Sequence, residues 1–355
     1  MLKFALVGCG RISKRHSELL GFDQIAGAKL VSVCDNVIGK AKKIGKQFNI
    51  SSYDDMDKMM KSELIDVIVV LTPSGLHAEH VVNLAQYGKH MMVEKPMALS
   101  IEDTEKMIYA CDNNNIKLFV IKQNRFNVPV VKLREALDSG RFGKLTLGTV
   151  RVRWARHQAY YDQDAWRGTW AMDGGVLTNQ ASHHVDMLEW MMGEVESVFA
   201  KMTTALANVE TEDTAIVTLK FKSGALGIIE ATTATRPANL EGSISILGEN
   251  GTVVVGGVAV NEMQTWVFED EQDGDSDVLE EFSVNPPNVY GFGHQAYYEH
   301  VVDCIVNGSA NLVDGLQGRK SIELISAIYE SAETGKEVFL KFQPKHCRLG
   351  QKILK

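Results

Sequence analysis

Residues 4–13 read Phe-Ala-Leu-Val-Gly-Cys-Gly-Arg-Ile-Ser, a short apolar run that passes straight into a glycine-rich turn. The spacing predicts a strand over Phe4–Val7 followed at once by a helix. Gly8 permits the tight turn, and Gly10 lets the backbone approach a bound pyrophosphate. The helix would aim its first amide N–H groups and its positive dipole end at the phosphates. Ser13 stands where the G-x-G-x-x-G pattern has its third small residue, a substitution that bears mainly on helix-to-strand packing. The next strand, Lys29–Asp35, ends on an acidic side chain, where the adenosine ribose hydroxyls would be gripped. Asp35 would repel a 2′-phosphate and Asn36 offers no cation to welcome one, so the expected cofactor is NAD rather than NADP.

Working outward, the first 120 residues alternate between strand-like and helix-like patterns. Val67–Leu71 is a continuous apolar run, as a parallel strand buried on both faces requires. Thr72-Pro73-Ser74 breaks it, and helical spacing resumes over 77–87. Further strands are expected over 89–94 and 116–121, with a helix between them over 101–113 capped by Ser100 or Asp103. Strand and helix in repetition make an α/β doubly wound parallel sheet of the Rossmann type. After Phe142 the pattern changes to seven strand-like segments, many alternating apolar and polar. These predict a large, mostly antiparallel open sheet in an α+β domain. One apolar helix over 176–192 should cover that sheet. The acidic run 269–277 reads as a solvated loop, and helices are expected over 296–306 and 319–332. The expected division is an NAD-binding domain over 1–122 and a substrate-binding and self-association domain over 123–355, with the final helices packing back on the first.

The length of 355 residues favours two domains over one. A net charge of −8 argues against a nucleic-acid partner. No apolar run approaches the roughly 20 residues a membrane span needs. Strand residues begin at the outset, so no signal peptide is expected. The five cysteines are scattered and form no C-x-x-C pair, which predicts buried thiols in a reducing, cytoplasmic setting.

Three segments could carry chemistry, and they are expected to converge where the domains meet. Glu94-Lys95-Pro96 closes a parallel strand at the edge where open α/β sheets bind ligands, with Lys95 projecting toward the nicotinamide. Within Asp173–Asp186, a helix starting near Gly175 would put Asn179 and His183 on one face by the i, i+4 rule. His183 and His184 would point about 100° apart, so one of them is expected to be a packing residue. No metal-ligand spacing accompanies them, and no metal is expected. The stretch 153–170, with Arg153, Arg156, Tyr160, Tyr161 and Gln163, reads as a sugar and phosphate cradle of rings and arginines. The chemistry these residues suit is oxidation of a secondary alcohol. An imidazole titrates near neutrality unaided, whereas a lysine needs burial or a neighbouring cation to do so. His183 is therefore the expected base and Lys95 the cation that holds the alkoxide.

Taken together, VGCGRIS, TPSGLHAEH, VEKPMALS, the GG…N…H…D segment and VDGLQGRKSIELISAIYESA resemble the Gfo/Idh/MocA oxidoreductase family over essentially the whole chain. QNRFNVPV, WARHQAYYDQDAWRGTW, NQASHHVD and the late CRLG point to its members that oxidise UDP-N-acetylglucosaminuronate. The resemblance implies NAD-dependent oxidation at C3″ of that UDP-sugar, in making lipopolysaccharide or capsule sugars. It implies cofactor contacts at Gly8, Gly10, Arg11, Ile12, Asp35, Asn36, Leu71, Thr72, Pro73, Ser74, His77, Glu94, Lys95 and Gln123, with Trp166 and Arg167 reaching the cofactor from the second domain. It places substrate on Lys95, Arg153, Arg156, Tyr160, Tyr161, Gln163, Asn179, His183 and His184. It also implies a homotetramer and, in several relatives, reoxidation of bound NADH by 2-oxoglutarate. One departure is Asn179, where most of the wider family has Asp. An amide cannot accept a proton, which strengthens the assignment of the base to His183. Two other readings fit the motifs: a dehydrogenase of a free sugar or inositol, and a catalytically silent NAD-binding regulator.

Overall fold

The computed structural model describes residues 1–283, 291–342 and 347–351. They form two compact units, Met1–Ile121 with His294–Arg319, and Lys122–Gly293 with the residues from Lys320 onward. No helix among the described residues is long and apolar enough to cross a membrane.

The first unit is built on six parallel strands: β1 (Leu2–Val7), β2 (Ala28–Cys34), β3 (Ser51–Tyr53), β4 (Val67–Val70), β5 (His90–Val93) and β6 (Leu118–Val120). Their spatial order is β3-β2-β1-β4-β5-β6, so the direction of winding reverses between β1 and β4. In open α/β sheets that reversal opens a crevice beyond the carboxyl ends of the strands, where ligands bind. The helices α1 (Ser13–Gly21), α2 (Ile38–Phe48), α3 (Met56–Ser62), α4 (His77–Ala85) and α5 (Ile101–Asn113) make the crossovers. Ser100 caps α5, its side chain accepting from the Asp103 amide at 3.1 Å. All four residues of β4 are buried, which explains why this strand reads as an uninterrupted apolar run. The helix α10 (Gly293–Val306), although late in the chain, anchors in this unit through Tyr297, whose hydroxyl donates to the Val120 carbonyl at 2.7 Å.

The second unit carries an eight-stranded sheet. Its strands are β7 (Leu145–Arg153), β8 (Val195–Thr203), β9 (Thr214–Phe221), β10 (Leu226–Thr232), β11 (Glu241–Gly248), β12 (Gly251–Gly256), β13 (Glu262–Phe268) and β14 (Val338–Phe339). The order is β13-β12-β11-β7-β10-β9-β8-β14. Only β7 and β10 run parallel; the other pairs are antiparallel. β9 shows the alternation clearly, with Ala215, Val217, Leu219 and Phe221 buried and Ile216 and Lys220 exposed. The helices here are α6 (Val128–Asp138), α7 (Gln158–Tyr161), α8 (Ser182–Met192), α9 (Val278–Glu281) and α11 (Gly315–Thr334), whose first turn belongs to the other unit. α8 packs on the buried face, close enough that a Cβ on Gly148 of β7 would meet Met192 Cγ at 2.6 Å.

Two expectations need correcting. The covering helix starts at Ser182 rather than near 176, and the segment before it is a run of turns seated on Glu212. Val176 N donates to the Glu212 carbonyl at 3.0 Å and Leu177 N to the Glu212 carboxylate at 2.9 Å. A Cβ on Gly175 would lie 2.0 Å from Glu212 Oε2, so the turn fits closely over that buried carboxylate. The run 269–277 is mostly exposed, but it is not merely solvated. Asp275 receives Arg141 at 2.6 Å and the Trp266 indole N–H at 2.7 Å. The sequence reading also marked no helix over α6, whose Pro129 occupies a first-turn position that needs no amide donor.

Candidate active site

The glycine turn sits at the winding reversal. Gly8 follows β1 with φ +101°, and its amide donates to the Cys34 carbonyl at 2.8 Å. A Cβ there would stand 2.7 Å from the Leu71 carbonyl carbon and 2.8 Å from its oxygen. Only glycine lets β1 turn this close to the end of β4. Gly10 is exposed, and a Cβ on it would meet nothing within 4 Å. That open space before α1 is the kind of cradle a pyrophosphate fills, and Arg11 and Ile12 lead from it into the helix. The Ser13 hydroxyl donates to the Gly10 carbonyl at 2.6 Å, so the residue that breaks the motif tightens the turn instead.

Asp35, half-buried at the end of β2, clasps the turn from the side. Its carboxylate accepts from Cys9 N and from Val37 N, both at 2.8 Å. Asn36 beside it is exposed. Cys9 and Cys34 are buried, and burial pushes both thiols up to about 12, so neither is a reactive thiolate. Removing the carboxylate in Asp35→Ala should weaken NAD by about 1–3 kcal/mol, the range for hydrogen bonds to a charged group. A fluorescence titration with NADH checks this, and an unchanged dissociation constant would take Asp35 out of the cofactor site.

Beyond β4, Leu71 is buried, Thr72 and Pro73 are half-buried, and Ser74 opens a short 3-10 turn. The Thr72 hydroxyl lies 2.9 Å from His80 Nδ1. His77 is buried with one ring nitrogen 2.8 Å from the Pro96 carbonyl and the other 2.8 Å from the Thr72 carbonyl. Burial lowers its pKa, and a neutral ring can donate to only one of these two carbonyls. His77 thus ties the loop after β4 to the loop after β5, where Lys95 is half-buried and joined to Pro96 by a cis bond. Glu94, expected among the cofactor contacts, turns its carboxylate into the unit's interior instead and is 5% exposed. It meets His16 Nε2 at 3.0 Å and accepts from Lys95 N at 2.9 Å.

In the second unit, Asn179 lies in the turn ahead of α8 rather than on the helix. Its amide donates to Asp173 Oδ1, while Asp173 Oδ2 receives Gly168 N at 2.8 Å. His183, the second residue of α8, is buried at 7% exposure. His184 next to it faces the sheet, edge-on to Trp154 with ring centroids 5.8 Å apart. It is fully buried and neither ring nitrogen has a hydrogen-bond partner among the described residues. Its expected substrate role therefore gives way to packing.

Burial pushes His184 down to about 3. An unfolded histidine titrates near 6.5, so unfolding takes up a proton anywhere between those values. This contribution to stability is complete above pH 6.5 and is lost as the pH falls. Urea unfolding at pH 7, 6 and 5 should show stability declining by up to about 1.4 kcal/mol per unit below 6.5 from this group. His184→Leu should flatten the decline, and an identical slope in the variant would contradict this.

The arginine- and ring-rich segment divides in two. Arg153 is committed to the sheet, with its guanidinium forked on Glu230 at 2.6 and 2.8 Å and reaching Glu241 at 3.2 Å. Tyr161 is buried against Thr233, hydroxyl to hydroxyl at 3.0 Å. Both are held by partners in the protein: Arg153 is ion-paired on β7 with 34% of its side chain exposed, and Tyr161 is in the core. Arg156, Tyr160, Trp166 and Arg167 instead make a stacked group. Arg167 donates to the Tyr160 hydroxyl at 2.8 Å and lies over the Tyr160 and Trp166 rings at 4.6 and 4.7 Å. Arg156 lies 5.2 Å from the Tyr160 ring, and Gln163 is exposed in the loop between. Gln123 is buried, and its side-chain oxygen has no hydrogen-bond partner among the described residues.

Sequence reasoning missed a buried ionic cluster that fixes α8. Asp186 accepts both arms of a fork from Arg125 at 2.8 Å, receives the Ser321 hydroxyl at 2.9 Å and has Lys122 at 3.5 Å. The acid that shapes the Gly175 turn, Glu212, was missed as well; burial raises it to about 7. Its position 37 residues beyond the turn left no local signal.

A parallel sheet with this strand order, a glycine turn at the reversal and an acid closing the second strand define a dinucleotide-binding fold of the NAD type. Models of the oxidoreductase family match on both sides: the NAD-binding Rossmann fold over residues 2–122 and the C-terminal alpha/beta domain over 134–340. The chain belongs to the Gfo/Idh/MocA family of oxidoreductases, which act on CH–OH groups with NAD. It is similar to the WlbA dehydrogenase of Bordetella pertussis, solved with NADH and UDP-GlcNAcA. The two are 40% identical over 95% of this chain and 98% of that one, with a TM-score of 0.87. Its counterpart from C. violaceum, solved with the same two ligands, is 42% identical over 95% of each chain with a TM-score of 0.89. The myo-inositol 2-dehydrogenase of Thermotoga maritima is 28% identical over 77% of this chain and 80% of its own.

Proposed function

We propose that this NAD-dependent sugar dehydrogenase oxidises the C3″ hydroxyl of UDP-N-acetylglucosaminuronate to the 3-keto sugar. The observation that carries the reading is full-length similarity at 40–42% identity to two dehydrogenases that hold this nucleotide sugar and NADH. Asn179 supports it, since an amide at that place orients a substrate but takes no proton.

His183 receives the hydroxyl proton, and the Lys95 ammonium holds the oxygen as its charge develops. Asn179, fixed by Asp173, orients the sugar. Arg156 and Arg167, stacked on Tyr160, offer guanidinium and ring faces to the anionic and apolar parts of the nucleotide sugar. Gly8, Gly10, Asp35 and the loop from Leu71 to His77 would hold NAD, which supplies a hydride acceptor when bound. The setting proposed is cytoplasmic synthesis of lipopolysaccharide or capsule sugars, with 2-oxoglutarate as a reoxidant of NADH. Self-association as a tetramer is proposed through the sheet face that exposes Phe199, Ile216 and Ile228.

The second reading, a free polyol as substrate, is favoured by the inositol relative. Absorbance at 340 nm separates the two. NADH should form with NAD and UDP-N-acetylglucosaminuronate and not with myo-inositol; the reverse result would replace the nucleotide sugar with a polyol.

A further inference from the structure

Glu94 is the one carboxylate of the Glu94-Lys95-Pro96 loop, and the geometry takes it away from the surface. His16 on α1, Glu94 after β5, and His294 and Tyr298 on α10 are all buried in the first unit. Tyr298 OH lies 2.7 Å from His16 Nδ1, His16 Nε2 lies 3.0 Å from Glu94 Oε1, and Glu94 Oε2 accepts from Lys95 N at 2.9 Å. The directions of these bonds follow from the groups themselves. Lys95 N can only donate, so Oε2 is an acceptor. Burial first, and the charge of Glu94 second, push the Tyr298 phenol well above its ordinary value, so it keeps its proton. An ionised Glu94 can only accept, so His16 Nε2 carries the proton aimed at Oε1; in the neutral ring Nδ1 is then the acceptor, and the phenol donates to it.

Burial alone would raise the Glu94 carboxyl, but the hydrogen bond from His16, with His294 close by, outweighs it and the group is held well below the usual range. His294 Nε2 stands 3.8 Å from Oε1, beyond hydrogen-bond distance, and burial lowers the pKa of its ring. The rings close the group sterically, with His16 and His294 at 5.3 Å and Tyr298 edge-on to Phe4 of β1 at 5.6 Å. α1 is the helix that starts at the glycine turn. The chain of bonds therefore links the helix facing the pyrophosphate end to the backbone of the lysine assigned to the sugar.

We propose that Tyr298, His16 and Glu94 form a one-directional hydrogen-bonded strut that fixes the Lys95 backbone, making Glu94 a positioning residue of the dehydrogenase reaction rather than a cofactor ligand. It rests on the assignment of Lys95 to the reacting oxygen made above. The three donor atoms of His16, Glu94 and His294 lie within 4.8 Å of one another, a spacing that also suits a metal ion. A shared proton and a metal cannot both occupy the His16–Glu94 contact.

Tyr298→Phe removes the first donor and keeps the ring. Glu94→Gln keeps the shape but sets an amide donor or a second orientation against His16. Both variants are purified alongside wild type, and thermal unfolding confirms that each is folded. Expected are kcat values lower by tenfold or more for Glu94→Gln and by threefold or more for Tyr298→Phe. The sugar KM and the NADH dissociation constant should stay within twofold.

A second readout needs no substrate. The rate of Lys95 acetylation by acetic anhydride, followed by peptide mass spectrometry, should change at least threefold in both variants while exposed Lys40 keeps its rate. Unchanged kcat or unchanged Lys95 labelling in folded Glu94→Gln overturns the strut, as does stoichiometric zinc in purified wild type. If wild type fails to turn over the nucleotide sugar, the substrate reading falls. The labelling rates then decide the strut alone.

Discussion

His183→Ala lowers kcat by about 10²–10⁴-fold, the usual contribution of a positioned acid–base group, while NADH still binds within about twofold. His183 belongs to α8, and α8 is held by Asp186 on Arg125, Lys122 and Ser321, none of which the substitution touches. The fold should survive the loss of the ring, so the defect reads as chemistry. Lys95→Ala should produce a loss of about 10²–10³-fold, the range for deleting one group that stabilises a developing oxyanion. Steady-state kinetics with NADH titrations check both. A rate near wild type in either variant would remove that residue from the reaction.

Gly8→Ala abolishes NAD binding and destabilises the first unit. The residue sits at φ +101°, where an L side chain costs about 1–3 kcal/mol on conformation alone. The added methyl carbon would also lie 2.7 Å from backbone at Leu71, and backbone inside a parallel sheet cannot give way as a side chain can. β1 must part from β4 at the winding reversal, which is where the pyrophosphate would be held. Gly10→Ala is the informative contrast. No atom lies within 4 Å of its added Cβ, so thermal stability should be unchanged while the methyl takes room the cofactor needs. Equal NAD affinity in wild type and Gly8→Ala would refute this placement of the turn.

The first sheet was legible because its signals are local. The apolar run at β4, the glycine pair after β1 and the serine ahead of α5 each state their role within a few residues. The comparisons bear out the family and the NAD-binding Rossmann fold, and the strand pairing bears out the mostly antiparallel character of the second sheet. What escaped the sequence depends on contacts far along the chain. The covering helix starts six residues late, and the segment expected to open it is a run of turns whose amides at 176 and 177 donate to Glu212, distant in sequence. Arg153 looked like an anion ligand from its neighbours, but its partners Glu230 and Glu241 lie on β10 and β11, 77 and 88 residues away. The family resemblance put Glu94 among the cofactor contacts but gave no sign of its buried partners, since His16 is 78 residues from it and Tyr298 is 282 residues from His16. Patterning reports which face of an element is buried; it does not report which charged group waits on the other side.

The most direct measurement follows one atom. UDP-N-acetylglucosaminuronate carrying deuterium at C3″ is incubated with NAD and this protein, and the NADH is examined by mass spectrometry. Deuterium recovered in the NADH, with a 3-keto sugar as the other product, is the predicted result. NADH formed without the label would show that another carbon is oxidised and would contradict the proposed reaction.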